Sequence, residues 1–147
     1  MYKRLLVPLD GSALAEEALT HARNLAAQFG SKIILLRVVV SPYAIAAPDL
    51  ILAGYDPVDA DFIKTAEEYL QGVAAGLQLA GLQATARTCE GPVAEAIIGY
   101  AADADADMIV MSTHGRGGLS RWVYGSVADR VLQAAPCPVL LVRATEQ

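Results

Sequence analysis

The feature that most limits how this chain can fold is an alternation repeated along its length. Short, almost wholly apolar runs are separated by segments of helical periodicity. "KRLLVPLD" (3–10), "KIILLRVVV" (32–40), "ADMIVMST" (106–113) and "PCPVLLVR" (136–143) are such runs. Runs of this kind suit strands buried on both faces, as in a parallel sheet. "QATARTCEG" (83–91) alternates weakly and reads as an edge strand.

The intervening segments carry helix signals. "ALAEEALTHARNLAAQF" (13–29) sets Ala15, Leu19, Ala22 and Leu25–Ala26 on one face. Ser12 offers an N-cap, Glu16 and Glu17 suit the positive end of the helix dipole, and Gly30 supplies the stop. "VDADFIKTAEEYLQGVAAGLQLAG" (58–81) is a second helix ended by Gly81. Pro92 suits the first turn of a third helix running to about 104, and "SVADRVLQAA" (126–135) is a fourth. The order β-α-β-α-β-α-β-α-β implies an α/β fold, an open five-stranded parallel sheet with helices on both faces. Residues 41–57, "SPYAIAAPDLILAGYDP", read as a long loop with a short helical turn near "DLILA". A lid over a ligand, packing on a partner, and a plain connection all stay open for it.

Several classes are disfavoured. No apolar run approaches the ~18 residues needed to span a bilayer, and "MYKRLLVPLDGS" does not resemble a signal peptide. The two cysteines, Cys89 and Cys137, fit neither a disulfide scaffold nor a zinc site, so a cytoplasmic setting is expected. A net charge of −5 weighs against nonspecific binding to nucleic acid or a membrane surface. The 147 residues, 54% of them hydrophobic, suffice for one domain spanning 1–147.

In sheets of this kind ligands bind at the carboxyl ends of the strands, where the strand order reverses. That predicts a site at Asp10, near Val38 and Val39, and from Met111 onward. "MSTHGRGGLSRWVYGS" (111–126) begins there and carries Gly115, Gly117, Gly118 and Gly125. Glycine is costly in ordered structure unless a positive φ or close backbone approach is needed. A phosphate chain asks for close main-chain N–H donors and a helix N-terminus. Gly125 and Ser126 stand where the fourth helix begins, and the Ser126 hydroxyl could hold a phosphate-bound Mg²⁺. Arg116 and Arg121 could add local positive charge. A P-loop lysine is missing before Ser126, and "GRGGLS" breaks the dinucleotide fingerprint with Ser120. His114 reads as a loop histidine that shapes the backbone or touches a phosphate, since no partner acid or nucleophile is identifiable. Asp10 alone reads equally as a turn acid.

"VPLDGS" (7–12), "STHGRGG" (112–118) and "GSVADRVLQAAPCPVLLVR" (125–143), with their spacing, resemble the universal stress protein family, in its ATP-binding branch. That branch carries Gly-x2-Gly-x9-Gly-Ser/Thr, which falls on Gly115, Gly125 and Ser126, with Ser112 in place of the first glycine. The resemblance implies a Rossmann-like, adenine nucleotide alpha hydrolase-like sheet of strand order 3-2-1-4-5. It implies that Pro8 and Leu9 line a base pocket, Asp10 meets the ribose or adenine side and Val38 offers backbone groups to the adenine edge. Met111 and Ser112 would flank the ribose. Gly115, Arg116, Gly118, Gly125, Ser126 and Val127 would surround the phosphates of ATP, ADP or AMP, with Mg²⁺. It also implies a homodimer through the last strand, 138–143, and nucleotide-dependent contact with an unknown protein partner. No catalytic residue or direct metal ligand is singled out, and at most slow hydrolysis of bound ATP is expected. A nucleotide-free dimeric interaction module of the same fold, or a slow ATPase or phosphotransferase, are the alternatives.

Overall fold

The computed structural model describes residues 1–40, 60–114 and 125–144. The elements follow the expected alternation: β1 (Arg4–Pro8), α1 (Ala13–Phe29), β2 (Lys32–Val39), α2 (Ala60–Leu79), β3 (Gln83–Glu90), α3 (Val93–Asp103), β4 (Met108–Ser112), α4 (Ser126–Ala134) and β5 (Val139–Val142). The sheet order is β3-β2-β1-β4-β5, with every pairing parallel. The weakly alternating segment β3 is an outer strand, as its pattern predicts.

Period-two alternation sorts each inner strand into two cores. Leu5, Val7, Ile33 and Leu35 face α1 and α2, and pack with Leu70, Ala74 and Leu77. Leu6, Ile34, Leu36, Ile109 and Met111 face α3 and α4, and pack with Ile97, Ala101 and Val131. Each large aliphatic side chain taken fully out of water contributes about 1.5–3 kcal/mol, so β1 and β2 anchor both layers.

Helix α1 meets the sheet through Ala15, Ala18, Ala22 and Ala26, a ridge of small side chains that lets the helix lie close. Leu19 and Leu25 are only half-buried beside it. The Ser12 hydroxyl accepts the Ala15 N–H at 3.1 Å, and Gly30 closes the helix at φ 68°.

Several boundaries differ from the sequence pattern by a residue or more, and three of them have a visible cause. Pro92 is the N-cap of α3 rather than its first helical residue, because its ψ of 133° is extended. Strand β4 starts at Met108, not 106: Asp105 turns through φ 50°, and Asp107 accepts the Arg4 N–H at 2.7 Å. Strand β5 is shorter than 136–143, since Pro136 and Pro138 have no N–H to give a ladder. The 41–57 stretch lies outside the described residues.

Candidate functional site

A cleft of about 270 Å³ opens at the carboxyl ends of β1, β2 and β4, against the N-terminus of α4. Its position follows from topology. The chain leaves β1 toward α1 on one face of the sheet and leaves β4 toward α4 on the other. The two connections diverge and leave a crevice between adjacent strands.

Pro8, Leu9 and Asp10 enter the cleft from the end of β1, and Leu36 and Val38 from β2. Leu9 donates its N–H to the Leu36 carbonyl at 2.8 Å, so the main-chain groups of Leu36 face β1. Residues two apart on a strand share that direction. Val38 therefore turns its N–H and C=O toward the place where β1 has already ended. Asp10 binds locally: its Oδ1 accepts the Ser12 N–H at 2.9 Å and the Ser12 hydroxyl at 2.5 Å. That is the turn-acid arrangement, and it steadies the hydroxyl that caps α1. Asp10 also lines the cleft, so the two readings of this residue are compatible.

Met111, Ser112, Thr113 and His114 form the β4 side. Ser112 is an extended strand residue, so no positive φ is demanded where the family pattern has glycine. Its hydroxyl donates to the Leu14 carbonyl at 2.6 Å, with the Ala15 carbonyl 3.3 Å away, tying β4 to the first turn of α1. Across the cleft stand Gly125, Ser126, Val127 and Ala128. Gly125 caps α4 without a side-chain bond, and its own N–H goes to the Thr113 carbonyl at 3.0 Å. The N–H groups of Ser126, Val127 and Ala128 then have no acceptor within their helix, which is the ordinary condition of a first turn. Gly125 has φ −57°, so positive φ is not its reason. A Cβ there would lie 3.2 Å from the Thr113 oxygen. Close backbone approach is the reason.

The structure thus brings Pro8, Leu9, Asp10, Val38, Met111, Ser112, Gly125, Ser126 and Val127 to one cleft. Gly115, Arg116 and Gly118, like Arg121, lie outside the described residues. Sequence reasoning missed Ala15, Leu36, Val93, Ile97, Thr113 and Ala128. Leu36 was legible as the i−2 neighbour of Val38, and Val93 and Ile97 as an i, i+4 pair on α3. Thr113 had no signal beyond adjacency.

Outside the lining of the cleft, burial and pairing shift several titratable groups. The Tyr69 hydroxyl is buried near the Glu16 carboxylate of α1. Burial first, then the Glu16 carboxylate, push its pKa up to about 12, against the pull of Arg37, which lies 5.8 Å over the ring. Burial also raises the thiols of Cys89 and Cys137, with Asp107 adding to the latter. Both therefore stay protonated and poorly nucleophilic. Arg130 and Glu95 join α4 to α3 at 3.1 Å in an exposed pair, and that contact lowers the Glu95 pKa. Among the described residues no group of three His, Cys, Asp or Glu could hold a metal ion, and no helix is long and apolar enough to cross a membrane.

The sheet order and the cleft between a strand-end acid and a helix N-terminus define a doubly wound α/β domain with a crevice at its switch point. Within that class the chain belongs to the universal stress protein family, whose profile matches residues 1–143. It is 36% identical over 145 residues to a universal stress protein of Methanocaldococcus jannaschii, covering 97% of this chain and 83% of that one. The solved structure of the hypothetical protein MJ0577 superposes with a TM-score of 0.84 at 26% identity, covering 100% of this chain and 99% of that one. Two solved complexes share the fold. The universal stress protein of Archaeoglobus fulgidus with dAMP has a TM-score of 0.71 at 20% identity, covering 96% and 98%. A universal stress protein with cAMP has a TM-score of 0.68 at 22% identity, covering 98% of each chain.

Proposed function

We propose that this chain binds an adenine nucleotide, ATP with Mg²⁺, in the switch-point cleft, and acts as a small regulator whose partner contacts depend on occupancy. One observation carries the reading: the first-turn amides of α4, the bare backbone at Gly125 and the carboxylate of Asp10 line the same cleft. Helix N-termini attract phosphate because their N–H groups and dipole point outward. The dAMP and cAMP complexes of two family members support an adenine nucleotide as the ligand class.

The roles follow from placement. Pro8, Leu9 and the apolar α3 residues Val93 and Ile97 would hold the base, with the outward main-chain groups of Val38 on its edge. Asp10 and Met111 would meet the ribose. The amides of Ser126, Val127 and Ala128 would take the phosphates, and the Ser126 hydroxyl suits a phosphate-bound Mg²⁺. Gly115, Arg116 and Gly118 would close the phosphate side. Ser112 does not argue against the ligand, because its hydroxyl is turned onto α1.

Partner contact is proposed at the outer strand β5. A parallel sheet edge exposes unpaired N–H and C=O groups that invite a second strand, and a two-fold homodimer through 138–143 would cover them. A cytoplasmic location suits both proposals. Calorimetric titration with ATP and Mg²⁺, with native mass spectrometry for any copurifying nucleotide, tests the reading. Binding with one nucleotide per chain supports it. No heat at millimolar nucleotide, with no nucleotide carried through purification, rejects it in favour of a nucleotide-free interaction module.

A further inference from the structure

Thr113 sits where the chain leaves β4, and it is only 6% exposed. Each of its polar groups serves a different segment. Its N–H donates to the Val142 carbonyl at 2.8 Å, extending the β4–β5 ladder past Ser112. Its carbonyl accepts the Gly125 N–H at 3.0 Å. Its hydroxyl oxygen accepts the Ala144 N–H at 3.0 Å and lies 3.0 Å from His114 Nδ1.

A hydroxyl has one proton and two lone pairs. One lone pair is engaged by Ala144. Its other contact among the described residues is His114 Nδ1, where the tautomer of the ring decides which group donates. Donation by the hydroxyl makes Nδ1 an acceptor and leaves the imidazole proton on Nε2. It also fixes the ring where it lines the cleft. The carbonyl of the same residue meets the N-cap of α4 closely, at 3.2 Å from where a Cβ would stand. A shift of Thr113 would therefore displace the anion-facing turn and the histidine together.

We propose that Thr113 is the positioning residue of this cleft: its carbonyl sets the α4 N-terminus, its hydroxyl sets the His114 tautomer, and both are anchored to the end of β5. The consequence for ligand affinity rests on the nucleotide reading above. The geometric claim does not.

The test compares the full chain with Thr113→Val, which keeps the shape and loses the hydroxyl, and Thr113→Ser, which keeps the hydroxyl. Nitrogen-15 NMR of His114 should show Nδ1 unprotonated in the parent and the serine variant, and a mixed tautomer in the valine variant. Amide exchange at Ala144 should quicken roughly tenfold in the valine variant alone, as expected when a part-buried donor loses its acceptor. Affinity for ATP with Mg²⁺ should fall roughly tenfold with valine and stay within about twofold with serine. A protonated Nδ1 in the parent overturns the proposal. So does a valine variant that matches the parent in exchange and affinity. If the valine variant does not fold, the parent tautomer decides alone. If the parent binds no nucleotide, that failure belongs to the nucleotide reading, and the tautomer and exchange results still decide the role of Thr113.

Discussion

Replacing Gly125 separates folding from binding at one atom. Its φ of −57° and ψ of 151° are open to any L residue, so alanine brings no backbone strain. The cost is contact. The new Cβ would stand 3.2 Å from the Thr113 carbonyl oxygen and 4.0 Å from the His114 Cα. Backbone must yield a few tenths of an ångström, which weakens the 3.0 Å bond from the Gly125 N–H. Partial loss of one hydrogen bond costs about 0.5–1.5 kcal/mol. Stiffening the unfolded chain by removing a glycine returns about 0.4–1 kcal/mol. Gly125→Ala should thus lose no more than about 1 kcal/mol, a melting shift of roughly 2–4 °C for a chain of this size. Binding should suffer more. A side chain at the N-cap intrudes where a phosphate oxygen would meet the bare backbone. Losing one charge-assisted hydrogen bond, about 1.5–3 kcal/mol, weakens Kd roughly ten- to hundredfold. Gly125→Val should do so more completely than alanine. Urea unfolding and calorimetry with ATP and Mg²⁺ on the same samples read both quantities. A stability loss above about 3 kcal/mol would make Gly125 a structural glycine first, and unchanged affinity in the valine variant would place the phosphates elsewhere.

Three further outcomes are expected. Ser112→Gly restores the family pattern yet should destabilise by about 1–2.5 kcal/mol in urea, from a lost buried hydroxyl bond and added chain entropy, with nucleotide affinity changed less than about twofold. Ser12→Ala should cost roughly 1 kcal/mol by removing the α1 cap, and denaturation midpoints check it. Tyr69, held up to about 12 chiefly by burial, keeps its proton in the folded chain after the unfolded chain has lost it above 10.0. Its contribution is present below pH 10.0 and is lost as pH rises through about 12. Tyr69→Phe should flatten that alkaline slope in urea midpoints, while an unchanged slope would mean that another group carries it.

The strands were legible because a chain buried on both faces has few polar residues to hide its pattern. Two helix ends were legible for a similar reason: Ser12 and Gly30 are residue types whose chemistry fits one position. The start of β4 moved through a tertiary partner invisible to local pattern. Asp107 is taken up by Arg4, about a hundred positions away in the chain (|i−j| = 103). Pro138, which has no N–H to give, joins the β4–β5 ladder only through its carbonyl, which accepts the Ile109 N–H at 2.9 Å. At the site, Asp10 and Gly125 were readable from composition at strand and helix ends. The reason for Gly125 was readable only as a choice between positive φ and close approach, and geometry selected the second. Ser112 looked like a departure because a sequence does not show that its hydroxyl turns away to α1. Thr113 was silent, since its role depends on three segments meeting at one residue.

The proposed function requires the first turn of α4 and the end of β1 to face one anion-bearing ligand. Backbone amide NMR during titration with ATP and Mg²⁺ tests it most directly. Saturable shifts should concentrate at Asp10, Val38 and Ser126–Ala128, with the outer strand β3 unmoved. Shifts scattered over the surface, or none at these amides at millimolar nucleotide, would contradict it.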